Sequence, residues 1–242
     1  MMTQLNQAYL APYSLLLQTS PTISTGGLIP QTNGSNLNIS QEMLGDLRHL
    51  VEGVLKDKEQ LNDLLETDGE DVQLWLDVLQ MIIELPDVTA ELRSSILDMM
   101  LRFSKRSGLC PQHLIVENVR MLGDFPIIYG GFGDVWKGKI GEQVVHLRVL
   151  RTHVSDGPTL LKECMREAIV WWQLKHPNIL PFMGMYYLDK ARERPCLVSA
   201  WMERGNLVRY LKESPREQVD HSVYIGIHRS FYLHLQTNPS ML

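Results

Sequence analysis

Near Cys110-Pro111 the hydrophobic period of this chain changes from about 3.6 residues to about 2. A helical segment is therefore followed by a strand-bearing one, and no single all-α or all-β domain accommodates both. At 242 residues the chain has room for one domain and part of another.

The helical segment begins after residues 1–38. That stretch mixes Gln, Asn, Thr, Ser, Gly and Pro, as in Ser20-Pro21-Thr22 and Asn33-Gly34-Ser35, without a sustained apolar period, and reads as a disordered polar arm. From Ser40, a suitable N-cap, Met43, Leu44, Leu47, Leu50, Val51, Val54 and Leu55 recur on one helical face, which Leu61, Leu64 and Leu65 extend. Thr67-Asp68-Gly69 breaks the pattern. A second helix is expected from about Asp71 to Leu85, apolar on nearly every side and so sandwiched between neighbours. A third follows Pro86, using Leu92, Ile96, Leu97, Met100, Leu101 and Phe103, and ends on Lys105, Arg106 and Gly108. The acidic cluster Asp68, Glu70 and Asp71 lacks the alternating oxygen ligands of a calcium loop and reads as a solvated helix start.

Beyond Pro111, strands are predicted at 126–129, 134–140, 144–150, 179–188 and 195–201, with helices at about 160–174 and 206–212. Lys139-Ile140-Gly141-Glu142 and residues 189–194 read as hairpin connections.

Composition narrows the function classes. With 44% hydrophobic and 21% charged residues and a formal net charge of −5, the chain is an ordinary globular protein, and nothing in that balance invites nucleic acid. The densest apolar stretch, Trp75 to Leu85, is interrupted by Asp77, Gln80 and Glu84, so no membrane span is expected. Cys110, Cys164 and Cys196 are widely spaced and odd in number, with no metal-ligand spacing. They read as reduced thiols of a cytosolic or nuclear compartment, with a cytoplasmic location the expectation.

Gly130-Gly131-Phe132-Gly133-Asp134-Val135 lies in the turn between the first two predicted strands, where residues without a Cβ let backbone N–H groups approach an anion. Alone, such glycines are usually turn residues. The order of the downstream motifs gives them weight: Val145-His146-Leu147-Arg148 on the next strand, Glu167 in the next helix, and Leu174-Lys175-His176-Pro177-Asn178-Ile179-Leu180 at a helix-to-strand turn. Leu197-Val198-Ser199-Ala200-Trp201-Met202-Glu203 then forms a strand running into a hinge.

In that order these motifs resemble the small lobe of a tyrosine-kinase-like Ser/Thr protein kinase domain over about residues 122–212. The fold class the resemblance implies is α+β, a five-stranded antiparallel sheet with one packed helix, preceded by a small all-α module. The expected divisions are 1–38, 39–108, 118–213 and an atypical tail at 214–242 in place of the large lobe. By the resemblance, Gly130, Gly131, Phe132 and Gly133 form the phosphate-covering loop, Val135 caps the adenine, and Arg148 pairs with Glu167. Ser199 takes the gatekeeper position, and Ala200, Trp201 and Met202 form the hinge.

The sequence departs from that pattern. Ile128 stands for the first glycine of G-x-G-x-x-G, and Arg148 replaces the strand lysine with a planar fork poorly shaped for the same phosphate contacts. Neither H-R-D-x-x-x-x-N nor D-F-G follows the hinge. His228-Arg229-Ser230 lacks the carboxylate, and Asp124-Phe125-Pro126 precedes the glycine loop. The resemblance therefore implies ATP bound weakly or not at all, no Mg²⁺ site, no catalytic residue, and a truncated or mis-spliced kinase product. The alternative is a pseudokinase-type regulatory protein that meets protein partners through the helical module.

Overall fold

The computed structural model describes residues 41–66, 69–130, 133–150, 157–189 and 194–205. The polar arm, the helix expected at 206–212 and the tail lie outside the described residues. The chain divides into two compact units, Met1–His113 and Leu114–Leu242.

In the first unit, α1 (Gln41–Lys56), α2 (Lys58–Leu65), α3 (Glu70–Ile83) and α4 (Ala90–Ser107) are packed around a common core. The expectation of one continuous first helix is corrected by the backbone at Asp57. That residue is extended, φ −102° and ψ 106°, and its carboxylate accepts the N–H groups of Glu59 and Gln60, which ends one helix and starts another. The apolar face continues through the break. The all-round apolar helix is α3, whose Val72, Trp75, Leu76, Val78, Leu79, Ile82 and Ile83 are all buried, as a sandwiched helix requires. Thr89 caps α4 by accepting Leu92 N–H at 3.3 Å, and Gly108 closes it in the left-handed region at φ 74°. The exit from the unit is tied to α3: Asp77 Oδ1 accepts Gln112 N–H at 2.6 Å, and Gln73 Nε2 donates to the Cys110 carbonyl at 3.0 Å. Burial pushes the Asp77 carboxyl up to about 6, against the opposing hydrogen bonds from Gln112 and Gln73.

The second unit is a six-stranded antiparallel sheet with one long helix among its described residues. The strands are β1 (Arg120–Met121), β2 (Ile128–Gly130), β3 (Gly133–Ile140), β4 (Gln143–Val149), β5 (Phe182–Tyr187) and β6 (Pro195–Ala200). Their order is β1-β3-β4-β6-β5, with β2 also on β3. Because β1 pairs with Gly138 and Lys139 while β2 pairs with residues 133–135, the two short strands share one edge column. The sheet is thus five columns wide. The first predicted strand begins at Ile128 rather than Pro126, and the two-residue β1 is too short to leave a periodic signal in sequence.

Alternation assigns the two faces of the sheet. Val145, Leu147 and Val149 of β4 face a core with Cys196 and Val198 of β6, Met183 of β5, and Val116 and Val119. The segment before β1 closes that core. Val116 N–H donates to the Met185 carbonyl at 2.6 Å, and Ile115 forms a parallel bridge to Met185. Gly184, at φ +136°, is required here because a Cβ would strike the Val116 side chain and the Leu114 carbonyl.

Candidate functional site

The opposite face is a grid fixed by register. One row runs Val135, Arg148, Leu197, Met185 across β3, β4, β6 and β5. The next runs Lys137, His146, Ser199, Phe182. Cross-strand partners share a face, so these eight side chains form one surface.

Helix α5 (Gly157–Gln173) packs on the β5 and β6 end of that surface. Its apolar stripe of Cys164, Met165, Ala168, Ile169 and Trp171 is buried. Trp171 fixes its position by stacking on Phe182 at a centroid distance of 5.1 Å and donating from Nε1 to the Leu180 carbonyl at 2.9 Å. The turn that delivers Leu180 is built by His176, whose Nδ1 accepts Asn178 N–H at 3.1 Å and whose carbonyl accepts Ile179 N–H at 3.0 Å. Glu167 lies one turn before Trp171, on the same helix face. It forms a charge-assisted hydrogen bond through Oε1 with Arg148 Nη2, and both side chains are only 16% exposed. The helix covers the β5/β6 half of the grid, while Val135, Lys137, His146 and Arg148 remain half-buried.

Just past β6, Trp201 N–H donates to the Val144 carbonyl at 3.4 Å. Lys137 Nζ lies 4.3 Å from the centroid of the Trp201 ring, a cation–π contact between β3 and the segment that follows β6. Met202 is exposed, and its carbonyl accepts Gly205 N–H at 3.0 Å.

Ser199, expected as gatekeeper, is buried, and its Oγ lies 3.4 Å from His146 Nδ1. Burial and the nearby Arg148 charge hold the His146 imidazole down at about 4, so it is neutral at physiological pH.

The structure thus brings Val135, Arg148, Glu167 and Ser199 to one face, with Trp201 and Met202, the residues expected as the hinge, at its edge. Ala200, also expected in the hinge, is the last residue of β6, and its side chain packs against the core on the other face. Gly130 and Gly133 are cross-strand partners at the mouth of the β2–β3 hairpin, and Gly131 and Phe132 lie outside the described residues. Gly133 has a reason to be glycine that involves no ligand: φ is +131°, and a Cβ would sit 2.5 Å from the Val149 carbonyl oxygen. Two residues of the face, Lys137 and His146, were not among the expected site residues. Alternation along β3 and β4 puts them on the face of Val135 and Arg148, but only the strand register sets Lys137 beside His146 and His146 beside Ser199. Among the described residues, no group of three or more His, Cys, Asp or Glu side chains is arranged to hold a metal ion, and no helix is long and apolar enough to cross a membrane.

Residues 124–234 match the family described as protein tyrosine and serine/threonine kinase. Similar curated proteins are protein kinases of several kinds. The dual specificity protein kinase zakA of Dictyostelium discoideum is 34% identical over 84 residues, covering 34% of this chain and 11% of that protein. The tyrosine-protein kinase transforming protein Abl of Abelson murine leukemia virus is 30% identical over 93 residues, 37% of this chain and 11% of that protein. The serine/threonine-protein kinase VIK of Arabidopsis thaliana is 26% identical over 132 residues, 53% of this chain and 28% of that protein. The chain therefore spans a small part of the length of each relative.

Proposed function

We propose that the sheet unit is the nucleotide-binding lobe of a tyrosine-kinase-like Ser/Thr protein kinase domain, and that this polypeptide by itself does not transfer phosphoryl groups. The observation that carries the first half is the Arg148–Glu167 pair, formed between a central strand and the packed helix beside a glycine hairpin and a hinge. A cation held by a carboxylate at the edge of an open surface is suited to an anionic ligand, because its position is fixed before the ligand arrives. Bound ATP supplies the phosphate anions and a planar base. Arg148 would meet the former and the hinge backbone the latter, and a fork in place of a compact ammonium predicts weak affinity. The second half rests on the motifs: no H-R-D-x-x-x-x-N or D-F-G follows Glu203, so no base and no magnesium carboxylate is supplied from those positions.

A ligand that binds only the folded state raises its melting temperature in proportion to the logarithm of its concentration above Kd. Titration of the full chain with MgATP is expected to shift melting only at high nucleotide concentration, with no phosphate incorporated into protein or peptide. No shift at millimolar nucleotide removes the nucleotide-binding reading. Incorporation that survives purification to homogeneity removes the second half. The helical unit, with a core of its own and its exit tied to α3, is suited to a second role as a protein-docking module in a regulatory protein.

A further inference from the structure

The part of the site face left open by α5 has four principal side chains, and the grid fixes their relation: Val135 beside Arg148, and Lys137 beside His146. Arg148 marks the anion end of this area. The Lys137–Trp201 contact marks the hinge end. His146 lies between them, two residues from Arg148 on the same strand and face, and paired on either side with Lys137 and Ser199. A ligand reaching from the Arg148 guanidinium to the hinge backbone has to lie against His146.

Side chains on a sheet stand roughly perpendicular to it, so an imidazole raises the floor of this area where the small second residue of the V-A-I-K pattern leaves it low. The ring is also held in place. Its Nδ1 is 3.4 Å from the Oγ of Ser199, which is buried. Lys137 is drawn toward the Trp201 ring, which leaves the His146 ring flanked on the hinge side.

We infer that His146 determines ligand specificity in this site: its imidazole takes up the room a nucleotide base needs between Arg148 and the hinge, so the phosphate end of a nucleotide is admitted more readily than its base. This rests on the nucleotide-binding reading of the sheet unit and assigns the weak affinity chiefly to the bulk of His146, with the Arg148 fork secondary. The ring is neutral at physiological pH, so its effect is one of volume and not of charge.

The test uses the full chain, two probes and two variants. MgATP and inorganic tripolyphosphate are titrated by calorimetry into the natural protein, His146→Ala and His146→Phe. Removing the ring is expected to tighten MgATP by about tenfold or more and to leave tripolyphosphate unchanged. His146→Phe, which keeps the bulk without the nitrogens, is expected to match the natural protein. The inference is overturned if His146→Ala gains nothing for MgATP while MgATP still binds the natural protein, an outcome that leaves the nucleotide-binding reading standing; if only tripolyphosphate binds and MgATP binds none of the three, both fall. It is also overturned if His146→Ala tightens both probes equally, or if His146→Phe gains as much as His146→Ala. Failure of both probes to bind any of the three proteins overturns this inference and the nucleotide-binding reading together.

Discussion

The two units spend their apolar surface differently. In the helical unit, Val51, Trp75, Leu76, Leu79, Ile82, Ile96, Met100 and Phe103 are buried, and the half-buried carboxyl of Asp77 is engaged in holding the chain at its exit. In the sheet unit one face is consumed by a core of the same kind. The other is only half covered by α5, and its uncovered half carries Lys137, His146 and Arg148. A sheet face closed by a helix serves stability, whereas one left part-open, with the cations Lys137 and Arg148 beside a neutral His146, is suited to a ligand. Position in the fold, and not composition, separates the scaffold from the site.

Truncating Trp171 should sharpen this contrast most. Trp171→Ala removes the stack on Phe182 and the bond to the Leu180 carbonyl. It is expected to cost about 3–5 kcal/mol in the sheet unit and to release Glu167 from Arg148, with hydrogen exchange in α1 to α4 unchanged. Equal loss of protection in the helical unit would break the separation. Next comes Gly133→Ala, which combines a positive φ with a clash against the Val149 carbonyl. A loss of about 2–3 kcal/mol is expected, and denaturant unfolding followed by a probe in each unit will show whether it is confined to the sheet.

The smallest effect is the most discriminating. Asp77 titrates at about 6 in the folded chain against a usual value of 3.8, so as pH falls from 6 toward 4 the native state takes up the proton first and the helical unit gains stability. His146 titrates at about 4 against 6.5, so over the same window the unfolded chain binds the proton first and the sheet unit loses stability. The units should therefore respond in opposite directions to these two groups. Asp77→Asn keeps an acceptor for Gln112 and should stabilise the helical unit at pH 7 by on the order of 1–2 kcal/mol. It should also remove that unit's acid gain, which thermal unfolding of the variant at pH 4, 5, 6 and 7 will show.

Much of this architecture is legible in the sequence because period and capping are local. The α3 and α4 patterns, the Gly108 terminus and all five predicted strands fall within a few residues of their expected places. The break at Asp57 escaped because Leu61, Leu64 and Leu65 continue the apolar face on either side of it. Its signal was Asp57-Lys58-Glu59-Gln60, a cap followed three residues later by a glutamine whose Nε2 donates back to Asp57 at 2.9 Å. The pairing of Arg148 with Glu167 was readable from motif order. What escaped depends on register and on distant segments: Lys137 against Trp201, His146 against Ser199, and Val116 against Gly184. No local pattern encodes these contacts, since a one-residue slip of β4 would move Arg148 and His146 to the other face.

The central claim is that a nucleotide lies on the part-open face of the sheet. Photolabelling of the full chain with an azido-adenine ATP analogue, followed by peptide mapping, tests it directly. The account predicts ATP-competable labelling confined to peptides containing Val135, Lys137, His146 or the hinge at Trp201 and Met202. Labelling that ATP does not displace, or that falls in α1 to α4, would contradict it.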